Sequence, residues 1–160
     1  MSSLSRFPLD ESQVRSRLAA LCARREHCQN DLLRKMQQWG VDEQVQARVM
    51  RYLVDHQFVD EERYARAFVL DKVQHLRWGR HKVEQALYVK GIGEDIRRKI
   101  LAGVSEEDFT ERLRPLLQAK ARQLSGEEPY ARRAKLIRYA LARGYTMQQA
   151  LECIDDQGLS

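Results

Sequence analysis

Gly40, Gly91 and Gly144 recur at intervals of 51 and 53 residues, and their surroundings recur with them. One residue after each stand Val41, Ile92 and Tyr145. Eight residues before stand Leu32, Val83 and Leu136, and four before stand Met36, Leu87 and Ala140. Nine and ten residues after come Val49-Met50, Ile100-Leu101 and Cys153-Ile154. The apolar positions keep helical spacing. A helix that ends in the left-handed conformation needs a residue without Cβ, and the next apolar residue folds back over its last turn. A unit of about fifty residues therefore occurs three times, which restricts the chain to a repeat architecture.

The helix starts repeat as well. Asp10-Glu11-Ser12-Gln13, Asp60-Glu61-Glu62 and Ser105-Glu106-Glu107-Asp108 each pair a capping side chain with acids that suit a positive helix end. From cap to glycine the distances are 30, 31 and 39 residues, so the third unit carries an insertion, read here as a longer first helix. Pro115 lies inside that helix and predicts a kink there or a start later than Ser105. Ser125-Gly126-Glu127-Glu128-Pro129 reads as a turn, with Pro129 at the first position of the next helix. The expected architecture is all-α, an elongated array of three tandem three-helix repeats. Residues 1–57 form the first, 58–104 the second and 105–160 the third, with residues 1–8 and the last few residues frayed. Units this small gain from stacking on one another.

Three prolines and eight glycines in 160 residues favour helix nearly throughout, and 32% charged residues speak for a soluble chain. No apolar run approaches the ~20 residues of a membrane span, and the first residues lack an apolar signal core, so the cytoplasm is the expected location. Cys22, Cys28 and Cys153 match no redox or zinc spacing and read as free thiols. His27, His56, His75 and His81 lack metal-ligand spacing, and Gly91-Ile92-Gly93 has no strand before it, so no catalytic site, metal or cofactor is expected. No coiled-coil seam is present, and a monomer is expected.

The formal net charge is +5, and the excess is unevenly placed. Residues 72–90 hold Lys72, Arg77, Arg80, Lys82 and Lys90 against Glu84, and residues 114–143 hold eight basic residues against Glu127 and Glu128. Any one of these reads most simply as a solvated helix face. The groups Arg77-Arg80-Lys82 and Arg132-Arg133-Lys135-Arg138 read instead as binding faces for an acidic groove or a phosphate backbone, and Arg24, Arg25, Arg34 and Lys35 stand evenly between the two. His81 and Lys90 join the Arg77-Arg80-Lys82 group. Reversing the charge of Arg77, Arg80 and Lys82 is expected to leave the fold intact. Trp78 is read as a hydrophobic contact at a helix end, with base stacking or partner anchoring as its other role. Tyr64, Phe68, Phe109 and Tyr139 are read as core.

Several of these segments resemble the RecX family of bacterial regulators of the RecA recombinase. Phe58-Val59-Asp60-Glu61-Glu62-Arg63-Tyr64-Ala65-Arg66-Ala67-Phe68-Val69, Gly79-Arg80-His81-Lys82-Val83 and Leu87-Tyr88-Val89-Lys90-Gly91-Ile92 carry most of the likeness. Ala23-Arg24-Arg25-Glu26-His27-Cys28 and Leu32-Leu33-Arg34-Lys35-Met36 extend it to the first unit. The chain departs from the family pattern at Arg80, where Gly-Pro is usual, and at Cys28, where Ser or Thr is more frequent. The resemblance covers most of residues 10–157 and implies a string of three-helix repeats. It further implies a binding protein, not an enzyme, that lies in the groove of the RecA filament on single-stranded DNA. There it would block extension, favour disassembly, and lower ATP hydrolysis, strand exchange and co-protease activity. The residues alone leave open a second role, non-specific binding of single-stranded DNA.

Overall fold

The computed structural model describes residues 9–159. Among them stand α1 (Glu11–Arg24), α2 (Gln29–Gln38), α3 (Glu43–Asp55), α4 (Glu61–Gln74), α5 (Arg80–Val89), α6 (Glu94–Leu101), α7 (Glu106–Gln123), α8 (Pro129–Ala142) and α9 (Met147–Gln157), with no strand among the described residues. The helices pack in consecutive trios, α1–α3, α4–α6 and α7–α9. The fold is an all-α tandem array.

Local chemistry sets the boundaries. The Asp10, Asp60 and Ser105 side chains accept the backbone N–H three residues on, and at Asp10 and Ser105 the third residue returns the bond to complete a capping box. Gly40, Gly91 and Gly144 all have positive φ, at 69°, 79° and 97°. After each, the next residue's N–H donates to the carbonyl five residues back: Val41 to Met36, Ile92 to Leu87 and Tyr145 to Ala140, at 3.0–3.1 Å. This closure is the Schellman arrangement, and it drives Ile92 and Tyr145 into the core at 1% exposure.

Two features differ from the sequence expectation. The insertion in the third trio is shared. α7 has 18 residues against 14 in α1 and α4, and α8 has 14 against 10 in α2 and α5. Helix α7 also starts directly after its Ser105 cap and runs through Pro115, so the later start is excluded. The expectation of a frayed N-terminus lies on residues outside those described. At the other end α9 persists to Gln157, and a left-handed Gly158 lets the Leu159 N–H donate to the Ile154 carbonyl at 3.0 Å.

The apolar residues form two cores. One contains Val14, Leu18, Leu32, Met36, Val49, Met50, Leu53 and Val59, and belongs to the first trio. The other runs continuously through the second and third trios, from Tyr64 and Val69 to Phe109, Leu136 and Ile154. Cys28 is the one buried residue of the first trio within it, among the described residues.

The two junctions use the same positions in different ways. At the first, the Gln29 N–H, at the start of α2, donates to Glu61 Oε1 at 2.8 Å. Arg63 pairs with Glu26 at 2.7 Å and Lys90 with Asp31 at 3.1 Å. At the second, the start of α5 meets the loop after α8 backbone to backbone. The Gly79 N–H donates to the Arg143 carbonyl at 2.7 Å, and the His81 N–H donates to the Gly144 carbonyl at 3.1 Å. These bonds satisfy amides that a helix start leaves without intrahelical partners. Arg80 occupies the position of Gln29 and pairs with Glu106, which stands where Glu61 stands in the trio before. Each trio thus sets the start of its second helix against the next trio's first-helix start and second-helix end.

Candidate partner-binding surface

The first junction builds a concavity of about 250 Å³. Asp31, Arg34, Lys35 and Gln38 reach it from α2, where the spacing puts all four on one face. Arg25 and His27 enter from the α1–α2 connection, and Tyr64 and Lys90 from the second trio. The two carboxylates present are taken, Glu26 by Arg63 and Asp31 by Lys90. Burial works against Asp31 ionisation, but hydrogen bonds from Lys90 and Cys28 hold its carboxyl below the usual range. Arg25, Arg34 and Lys35 are exposed, with no carboxylate within 4.0 Å among the described residues. Arg24, also exposed, precedes Arg25 at the end of α1.

The second junction gathers cations around Trp78, a residue packed against the larger core. The Lys82 and Lys72 ammonium groups lie over its ring at 4.5 and 5.2 Å from the centroid. Cations over the ring face and packing against the core support the helix-end reading of Trp78 over base stacking. Arg77 sits at φ 55°, a left-handed conformation rare for a side-chain-bearing residue. Its neighbours pin it there: the Tyr145 hydroxyl donates to the Arg77 carbonyl at 2.7 Å, and Arg143 Nη2 donates to the Leu76 carbonyl at 2.6 Å. The Arg77 guanidinium and the His81 ring remain exposed beside Lys82.

Arg80 departs from the expected role. Its Nη1 donates to the Leu101 carbonyl at 2.9 Å, its Nη2 to the Val104 carbonyl at 2.6 Å, and its Nε to Glu106 at 2.8 Å. The guanidinium also covers the Phe109 ring at 4.8 Å. These contacts fasten the end of α6 and the start of α7 to α5, so reversing the charge at Arg80 is expected to destabilise the fold and not to report cleanly on a partner.

The α8 group is divided. Helical geometry puts Arg132, Lys135 and Arg138 on one side, with Arg133 turned away. Arg133 pairs with Asp155 at 3.0 Å and Lys135 pairs with Glu127. Arg132 Nε is buried without a hydrogen-bond partner among the described residues, and Arg138 stands exposed. Tyr139 lies partly buried against the core, whereas Tyr130 is 81% exposed at the start of α8. Lys72 and Arg143 belong to the second junction but were absent from the sequence-derived set. Arg143 occupies the glycine-register position of Lys90, one residue before Gly144 and Gly91, and that register was the signal for it.

No group of His, Cys, Asp and Glu among the described residues could hold a metal ion, and no helix there is long and apolar enough to cross a membrane. Burial pushes the Cys28 and Cys153 thiols up to about 11, so both stay protonated near neutrality. Cys22 is half-buried. A disulfide-exchange reagent on the native protein at pH 7.5 is expected to consume Cys22 first, and Cys28 and Cys153 at the rate of unfolding. Simultaneous labelling of all three would contradict this packing.

Two family models match the chain: RecX, second three-helix domain, over residues 60–101, and RecX, third three-helix domain, over residues 106–154. The protein named Regulatory protein RecX of Clostridium botulinum (strain Alaska E43 / Type E3) is 32% identical over 108 residues, covering 66% of this chain and 50% of the relative. That of Mycobacterium sp. (strain KMS) is 29% identical over 153 residues, covering 92% and 82%. The chain spans about half the length of the clostridial relatives. The crystal structure of RecX from Lactobacillus salivarius superposes with a TM-score of 0.84 at 16% identity, covering 94% of this chain and 97% of that one. That likeness concerns the fold, and the family models concern the sequence of the second and third trios. Taken together with the repeated caps, glycines and junctions, they establish that the chain belongs to the RecX family.

Proposed function

We propose that this protein regulates the RecA recombinase by docking along the RecA filament on single-stranded DNA. It acts in the cytoplasm as a monomer of three units, divided near residues 57 and 104. The observation that carries the reading is the repetition of cationic surface at both junctions: Arg25, Arg34 and Lys35 at the first, Arg77 and Lys82, with the His81 ring beside them, at the second. Such sites on linked units add their weak contacts through effective concentration. A chain laid across several subunits in the filament groove blocks addition of further subunits and shifts the balance to disassembly. ATP hydrolysis, strand exchange and co-protease activity fall with it.

The test is ATP hydrolysis by pre-formed RecA filaments, titrated with this protein well below the RecA concentration. Substoichiometric loss of activity is expected. Replacing Arg34→Glu and Lys35→Glu together, both exposed and without carboxylate partners among the described residues, is expected to raise the concentration for half inhibition roughly tenfold, about 1.4 kcal/mol, with thermal unfolding unchanged. Inhibition unchanged in the folded double variant removes the first junction from the docking surface. No effect of the parent protein at equimolar levels, with salt-sensitive binding to single-stranded DNA alone, would replace this reading by a DNA-binding one.

A further inference from the structure

A second surface lies where α4, α6 and α7 meet. It is a groove of about 550 Å³ whose apolar wall includes Val69, Leu70 and Val73 on α4, with Ile100 and Val104 from the α6–α7 side. Arg66, Val69, Leu70, Val73 and Gln74 follow helical spacing, so α4 offers about 12 Å of wall, enough for roughly two turns of a partner helix. Gly103 adds no side chain to the opposite wall. Leu70 is 53% exposed, a large apolar side chain open to water at a concave site. The residues that bring charge to this groove are Arg66, Lys99 and Arg112 against Asp108. Arg66 and Lys99 share a single carboxylate, Glu62, at 3.2 and 2.9 Å. Among the described residues Arg112 reaches only the Asp108 carbonyl, at 3.5 Å, and the Asp108 carboxylate is engaged in the α7 capping box.

We infer that this groove docks a short acidic segment of another protein, one carrying one or two large apolar side chains. The apolar wall supplies the driving force for anchoring such side chains, and the excess of cations around it selects acidic over basic flanks. Leu70 and Lys72 stand about 200° apart around α4, so the groove faces away from the cations around Trp78. The inference is independent of the filament reading, because it rests on the α4 groove and not on the cations at the two junctions.

The probe is a fluorescent peptide of about twelve residues, Glu- and Asp-rich, with two leucines one helical turn apart, titrated with the full chain and read by anisotropy. Saturable binding is expected, weakened roughly tenfold when the leucines become serine or the acids become lysine. The variants Leu70→Glu and Arg112→Glu, tested separately, are expected to weaken it by a similar factor. Leu70→Ser serves as the variant that adds no charge should Leu70→Glu prove unstable by circular dichroism. Absence of binding at millimolar protein overturns the proposal, as does binding indifferent to all three variants. Self-association of the chain that Leu70→Glu abolishes also overturns it, because the occupant is then a second copy.

Discussion

Gly79→Ala is expected to lower stability by about 3 kcal/mol, the upper end of what one added carbon costs in a well-packed site. Gly79 has φ −79°, so alanine is not strained there by backbone conformation. The damage comes from contact alone. A Cβ at Gly79 would overlap the carbonyl carbon and oxygen of Gly144 and the amide nitrogen of Tyr145, all backbone atoms that cannot rotate aside. The loop after α8 must then retreat, and the bonds from the Gly79 and His81 amides to Arg143 and Gly144 go with it. Gly40→Ala isolates the opposite effect: φ is 69° and nothing lies within 4 Å, so only the left-handed penalty of about 1–2 kcal/mol applies. Urea denaturation of the two variants measures the difference. Equal midpoints would mean that the second junction is looser than described. Exchange of the Gly79 and His81 amides with solvent gives a local check, since both should quicken in Gly79→Ala before global unfolding.

Arg80→Met is expected to cost about 3 kcal/mol, the scale of losing several hydrogen bonds to one charged donor. The methionine keeps most of the aliphatic stem but abandons two carbonyls, Leu101 at the last turn of α6 and Val104 beyond it. The Arg80 side chain is 25% exposed, so water replaces these bonds only in part. Arg80→Lys should recover less than half of the loss, because an ammonium is a point donor and cannot bridge two carbonyls and Glu106 together. Full recovery by lysine would show that charge alone matters there. Arg80→Pro makes a further comparison. Arg80 is the first residue of α5, a position where proline is well tolerated, so that change removes the side-chain bonds while leaving the helix start competent.

The sequence disclosed most about the parts of the fold decided within a few residues. A cap and its partner lie three residues apart, as at Ser105 and Asp108, and the glycine closure spans five, as from Ala140 to Tyr145. Both leave direct traces in residue type. The division of the eight-residue insertion was also available. Pro129 fixes the start of α8, and counting from there to Gly144 gives a second helix one turn longer than its counterparts. The binding surface was less legible because partners far along the chain decide it. Arg80 and Lys82 look equivalent by charge, yet Arg80 is tied to Glu106, 26 residues away, while Lys82 lies over Trp78. Asp31 and Lys90 are 59 residues apart, so their pairing cannot be seen in a count of local charge. The groove along α4 had a visible signal. Val69, Leu70 and Val73 are apolar at helical spacing, but they divide by exposure: Val69 and Val73 are 4% and 3% exposed and Leu70 is 53%.

The two junctions also differ in what the surrounding solution can do to them. The second rests mainly on backbone bonds, a glycine contact and a shared apolar core, which dissolved salt does not screen appreciably, with the Arg80–Glu106 pair beside them. The first depends on half-exposed pairs, Arg63 with Glu26 and Lys90 with Asp31, beside a core of its own. Ion pairs of that exposure weaken as the screening length contracts from about 10 Å at 0.1 M to about 3 Å at 1 M. Raising the ionic strength is therefore expected to loosen the first junction before the second. Salt is then expected to act twice, by screening exposed cations such as Arg34 and Lys35 and by loosening the joint beside them.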